Sequence, residues 1–99
     1  MLPAGLDLQL RECLSARSCV RAAILFGSRA RGDAAERSDI DLAIVAPTAT
    51  PRQWLDLVFA VQDLPTLLSF DLIRWETTPP ELQARIIAEG VRLYDRNPA

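Results

Sequence analysis

An apolar run from Val20 to Phe26 stops at Gly27-Ser28, and a second run, Ile40 to Ala46, follows directly on Ser38-Asp39. Each has the length and composition of a buried strand; glycine permits a sharp turn after the first, and Pro47-Thr48 close the second. A third strand is predicted from Leu67 to Trp75 and a brief fourth from Val91 to Tyr94. Between them the apolar period changes to that of a helix. Leu6, Leu10, Cys13 and Leu14 recur on one side, with Arg11, Glu12 and Ser15 on the other, which predicts an amphipathic helix ending near Ser18. Ala30 to Glu36 reads as a short helix or a structured loop. Thr50-Pro51-Arg52-Gln53 has the form of a capping box with proline at the first helical position, ahead of a stripe of Trp54, Leu55, Val58 and Val61 that Asp63-Leu64-Pro65 ends. Thr78-Pro79-Pro80-Glu81 repeats that logic before Leu82, Ile86 and Ile87, and Gly90 supplies a stop. Helices and strands alternate, so the expected class is α/β: a small mixed sheet of three to four strands with flanking helices.

With 99 residues, the expectation is a single domain over residues 1–99, since two cores would each be too small. No apolar run approaches the roughly 20 residues that span a bilayer, and Met1 to Gly5 lack a basic segment followed by a long apolar one. A cytoplasmic location is therefore expected. Cys13 and Cys19 are too close to staple a fold and lack partners for a zinc site, which leaves buried, inert thiols as their reading. Trp54, Phe59, Trp75 and Tyr94 are read mainly as core. A net charge of −2 gives no global attraction to a polyanion, so a grip on long nucleic acid is disfavoured while a small nucleotide remains compatible.

The chain contains no histidine, and all 11 of its basic side chains are arginine. Ser-His-Asp and Cys-His relays, a phosphate-binding P-loop lysine and a Schiff-base lysine are all excluded. Carboxylates, hydroxyls and arginines must carry any reaction.

Residues two apart on a strand leave the same face, so Asp39 and Asp41 are expected to project together, their Cα atoms about 7 Å apart. Alone, such a pair is common at a solvated strand end. Here it opens the run Leu42-Ala43-Ile44-Val45, where two repelling acids need compensation, most simply by a cation. Asp71 is the third candidate, a carboxylate inside Leu67-Leu68-Ser69-Phe70 and Leu72-Ile73; an ion pair with an arginine is the structural alternative. If its strand lies beside Ile40 to Ala46, Asp71 completes a nest of three carboxylates. Gly27 and Ser28 offer backbone N–H groups and a hydroxyl to phosphate oxygens, and Arg31, ahead of Arg29, is the better candidate to steady a triphosphate. Gly32 suits a loop with unusual backbone geometry. Asp33, Glu36 and Arg37 read as solvent-facing, and Ser38 as a residue that caps or orients the acidic pair. Hard cations need clustered carboxylate oxygens and phosphates need close backbone N–H groups, so this segment reads as a metal-dependent nucleotide-transfer site.

Together, Gly27-Ser28, Ala30-Arg31-Gly32 and Ser38-Asp39-Ile40-Asp41-Leu42, with the later Asp71, closely resemble the minimal nucleotidyltransferases of the DNA polymerase beta superfamily. The resemblance covers nearly the whole chain in length and element order. It implies a polymerase beta-like fold, two Mg²⁺ ions (or Mn²⁺) held by Asp39 and Asp41 with Asp71 on the catalytic one, and terminal phosphates of ATP or another nucleoside triphosphate at Gly27-Ser28. It also implies a partner. Small members are commonly encoded beside a HEPN-domain ribonuclease toxin, which they neutralise as antitoxins, in some cases by transferring AMP to a tyrosine. The leading expectation is thus transfer of a nucleoside monophosphate to a hydroxyl of a partner protein. Three rivals stand beside it: a catalytically quiet module that masks its partner by contact, a transferase acting on a small molecule such as an aminoglycoside, and acids that only decorate a loop.

Overall fold

The computed structural model of the protein describes residues 2–3, 5–32 and 39–96. Within them lie four strands, β1 (Ala22–Phe26), β2 (Ile40–Val45), β3 (Phe70–Arg74) and β4 (Val91–Asp95), and four α-helices, α1 (Leu6–Ser15), α2 (Gly27–Arg31), α3 (Pro51–Gln62) and α4 (Pro80–Glu89). A single 3-10 turn, Trp75–Thr77, follows β3. The strands form one mixed sheet in the order β3-β2-β1-β4. β1 is antiparallel to both of its neighbours, whereas β2 and β3 run parallel, a pairing that requires the crossover that α3 supplies.

Strand alternation divides the apolar residues between two faces. Ile40, Leu42 and Ile44 of β2 point to the face where α1 and α3 deliver Leu10, Leu14, Leu57 and Val61, and these form the larger core. Each such side chain, fully buried, contributes about 1.5–3 kcal/mol. Ala43 of β2 and Ile24 of β1 point the other way, onto Ile86 of α4. Gly90, the cap of α4, allows that contact for a reason unrelated to a left-handed turn, since its φ is −75°. A Cβ there would stand 2.6 Å from Ile24 and 2.4 Å from the Ile86 carbonyl oxygen.

The fold expected from the sequence is present, with corrections. α1 ends at Ser15 instead of near Ser18, and α2 begins at Gly27 instead of Ala30. In α3 the buried residues are Leu57 and Val61, while Leu55 of the predicted stripe is 53% exposed, and Phe59, one of four aromatics read mainly as core, is 64% exposed. β3 starts at Phe70, leaving Leu67 wholly in solvent, and Ile87 of the α4 stripe is also exposed. Thr50 and Gln53 do form the reciprocal capping box. Thr78 does not cap α4; the 3-10 turn carries its hydroxyl back to donate to the Arg74 carbonyl at 2.7 Å. Both cysteines are free but only partly buried, and burial lifts the Cys13 thiol above its ordinary pKa. The predicted helical or loop residues 33–36, the solvent-facing Asp33, Glu36 and Arg37, and the orienting role given to Ser38 lie outside the described residues.

Two arginines tie distant segments together. Arg74 donates to the carbonyls of Ala46 and Ala49, both at 2.8 Å, and lies over the Trp54 ring. Beside it, Glu76 accepts the Ala46 N–H, so the β2–α3 turn is fastened to the end of β3. Arg96 donates to Ser15, Arg17 and Val20 and so satisfies carbonyls at and beyond the end of α1.

Candidate active site

β2 carries Asp41 between two neighbours: Phe26 on antiparallel β1 and Asp71 on parallel β3. Register partners in a sheet share a face, so the Asp41 and Asp71 side chains leave the sheet together, on the side of Ala43 and Ile73. The condition set by the sequence, that these two strands be adjacent, is met. Asp39 stands one residue before β2 and is exposed, as is Asp71, whereas Asp41 is half-buried.

Immediately after Phe26 the chain turns at Gly27, whose φ is +73°. A Cβ built there would lie 2.3 Å from Asp41 Oδ2. Glycine is therefore required twice over, for the backbone conformation and to let the carboxylate lie against the turn. Ser28 occupies the first turn of α2, and its carbonyl accepts the N–H of Gly32, which ends the helix at φ +83°. The segment expected to be a simple Gly-Ser turn is thus the opening of a helix whose first N–H groups have no intrahelical acceptor.

The electrostatics follow from this crowding. Burial raises the pKa of Asp41 above the ordinary carboxylate value, Asp71 and then Asp39 raise it further, and Arg31 opposes them. Asp39, Asp41, Asp71 and Arg31 consequently share one electrostatic neighbourhood. Arg31 also donates to Glu89 at the end of α4, Nη1 to Oε2 at 3.2 Å. Arg29, treated in the sequence as its lesser companion, is buried and held by interactions within the protein. Glu89 was not legible as a site residue, because only the packing of α4 on β1 brings it to Arg31.

The donor set suits a hard cation: it is anionic, made of oxygen, and free of histidine and cysteine. A cation would also relieve the repulsion that raises Asp41. Among the described residues, however, no three side chains of His, Cys, Asp or Glu are drawn close enough to form a ready-made metal cluster. Asp41 and Asp71 are the pair fixed by the ladder, and Asp39 lies just beyond it.

The sequence model of the family described as Polymerase beta, Nucleotidyltransferase matches residues 9–99, and the chain belongs to that family. No curated protein matches it. Among solved structures, a toxin–antitoxin complex with AMP-PNP superposes with a TM-score of 0.75 at 20% identity, over 92% of this chain and 74% of that one. A structure of a tri-AMPylated HEPN toxin from Shewanella oneidensis with its MNT antitoxin gives 0.68 at 18% identity, over 91% and 70%. A provisionally named minimal nucleotidyltransferase gives 0.66 at 27% identity, over 87% and 90%. Membership of a nucleotidyltransferase family and the mixed four-stranded sheet agree. No helix among the described residues is long and apolar enough to cross a membrane.

Proposed function

We propose that this chain transfers a nucleoside monophosphate, AMP from ATP, to a hydroxyl on a partner protein. The observation that carries the reading is the pairing of Asp41 with Asp71 across the parallel ladder, beside a glycine that leaves room for the Asp41 carboxylate. The partner is proposed to be a HEPN-type ribonuclease toxin that this chain neutralises as an antitoxin. Supporting it are the toxin–antitoxin structures that share this fold, one containing AMP-PNP and one an AMPylated HEPN toxin.

In this reading the backbone N–H groups of Gly27 and Ser28 receive the terminal phosphates, and the Arg31 guanidinium adds positive charge beside them. Divalent cations held by Asp39, Asp41 and Asp71, Mg²⁺ or Mn²⁺, would supply Lewis-acid stabilisation of charge on the phosphoryl oxygens. The acceptor oxygen forms a bond to the α-phosphorus while the bond to pyrophosphate breaks in line, and Asp71 or solvent takes the acceptor's proton. No histidine competes for that role. Masking by contact is the second reading, favoured if a variant unable to transfer still neutralises the partner. The test is incubation of the chain and its partner with Mg²⁺ and ATP labelled at either the α- or the γ-phosphate. Label retained only from the α-position supports nucleotidyl transfer, and label from neither position removes the enzymatic reading.

A further inference from the structure

The open edge of the sheet lies next to Asp71. Among the described residues β3 is the terminal strand and pairs only with β2, while the other edge strand, β4, is separated from it by β2 and β1. The Ile40 N–H donates to the Ser69 carbonyl at 2.8 Å, so Ser69, Asp71 and Ile73 turn their backbone groups towards β2. By alternation, Phe70, Leu72 and Arg74 turn theirs outward. Two of the three outward carbonyls are taken by side chains of the protein itself: Phe70 accepts from Gln62 at 2.8 Å, and Arg74 accepts from the hydroxyls of Thr77 and Thr78. Leu72, midway between them, has no partner for either its N–H or its carbonyl among the described residues. The edge is stoppered at both ends and open in the middle.

A groove of about 310 Å³ begins beside Leu72 and extends past the end of β3 to Thr77, Thr78 and Pro79. Its walls come from both faces of the sheet, with Trp54, Leu72 and Arg74 on the α3 side and Ile73 and Leu82 on the α4 side. The groove thus opens on both faces of the sheet at the Leu72 end of the gap and leaves Asp71 outside its lining.

We infer that the β3 edge binds an extended segment of the partner protein as an added strand, hydrogen-bonded to Leu72, which sets the acceptor hydroxyl beside Asp71. The inference rests on the transferase reading for the role of that hydroxyl. Unpaired N–H and carbonyl groups on one residue are met together by another extended backbone, the complement of a sheet edge. Register partners share a face, so the residue opposite Asp71 projects on the face of Asp71 and Asp41, about 4.8 Å away along the sheet. That residue carries the hydroxyl. Its two neighbours project to the other face, towards Trp54 and Leu72, where apolar side chains fit. The acceptor is therefore a serine, threonine or tyrosine in an extended stretch with apolar residues on either side, and it is not a residue within a helix. The stoppers at Phe70 and Arg74 limit the added strand to a short bridge and keep the edge from pairing indiscriminately.

The probe is the peptide Ac-Ser-Thr-Val-Tyr-Leu-Thr-Ser-NH₂, added at millimolar concentration to the isotopically labelled full chain without nucleotide. The amide of Leu72 should shift and its hydrogen exchange slow by about tenfold or more, while that of Ile73, already in the ladder, changes little. Two further peptides are N-methylated, one on the tyrosine and one on both its neighbours. One of the two should lose binding and the other retain it, and which one fails tells whether the strand adds parallel or antiparallel. An unmoved Leu72 amide, or methylated peptides that behave alike, overturns the inference. Adding Mg²⁺ and ATP labelled at the α-phosphate separates the two claims. Protection of Leu72 without labelled tyrosine keeps the docking edge and counts against transfer, whereas labelled tyrosine with Leu72 unprotected does the reverse.

Discussion

Gly27 and Asp41 occupy each other's space: a Cβ on Gly27 would meet Asp41 Oδ2 at 2.3 Å. The Gly27→Ala variant must therefore swing the carboxylate away or shift the turn, and must also hold alanine at φ +73°. The left-handed backbone alone costs about 1 kcal/mol, and displacing a half-buried carboxylate adds to it. Denaturant midpoints should fall accordingly. Nucleotide transfer should fall more steeply than stability, because the group displaced belongs to the proposed site.

Asp41 makes a prediction about pH. Its carboxyl binds a proton more tightly in the folded chain than in the unfolded one, owing to burial first and then to Asp71 and Asp39. Folding therefore takes up a proton between the two pKa values, and stability falls as pH rises from the ordinary carboxylate range through the raised value. In the absence of divalent cations, Asp41→Asn should melt above the wild type at neutral pH. The difference should close on acidification, and a gap that widened at low pH would contradict the assignment.

Arg31 is shared between the acidic site and Glu89. The Arg31–Glu89 pair is largely exposed, so Glu89→Gln should change stability by less than about 1 kcal/mol. Arg31→Ala should instead weaken Mg-ATP binding by about tenfold or more, the loss of one charge-assisted contact, as read by calorimetric titration.

Arg74 holds the β2–α3 turn through two carbonyls and the Trp54 ring. Arg74→Met keeps most of the stem and leaves both carbonyls without that donor, which should cost about 2 kcal/mol or more in urea unfolding. The carbonyls it caps immediately follow β2.

What the sequence made legible was local. The capping box of Thr50 and Gln53 needs only residues three apart, and the strand runs announce themselves by composition, so both were readable. Strand period joined Asp39 to Asp41 in the sequence, but β2 begins at Ile40 and leaves Asp39 just ahead of the strand. Their relation to Asp71 depended on β3 lying parallel to β2, a pairing across thirty residues that period cannot supply. Leu55 and Leu57 look alike as apolar residues, and only the rotation of α3 on the sheet buries the second. Thr78 had the right spacing for a cap, but the 3-10 turn before it redirected its hydroxyl. Glu89, Glu76 and Arg74 drew no reading from the sequence, because Glu89 meets Arg31, and Glu76 and Arg74 meet the backbone at Ala46 and Ala49, only across the fold.

The most direct test of the acidic site compares wild type with Asp39→Asn/Asp41→Asn in a single-turnover reaction with partner protein, Mg²⁺ and ATP labelled at the α-phosphate. Labelled partner is expected with the wild type and about a hundredfold less or none with the double variant, both chains remaining folded. Equal labelling by the two would contradict this expectation.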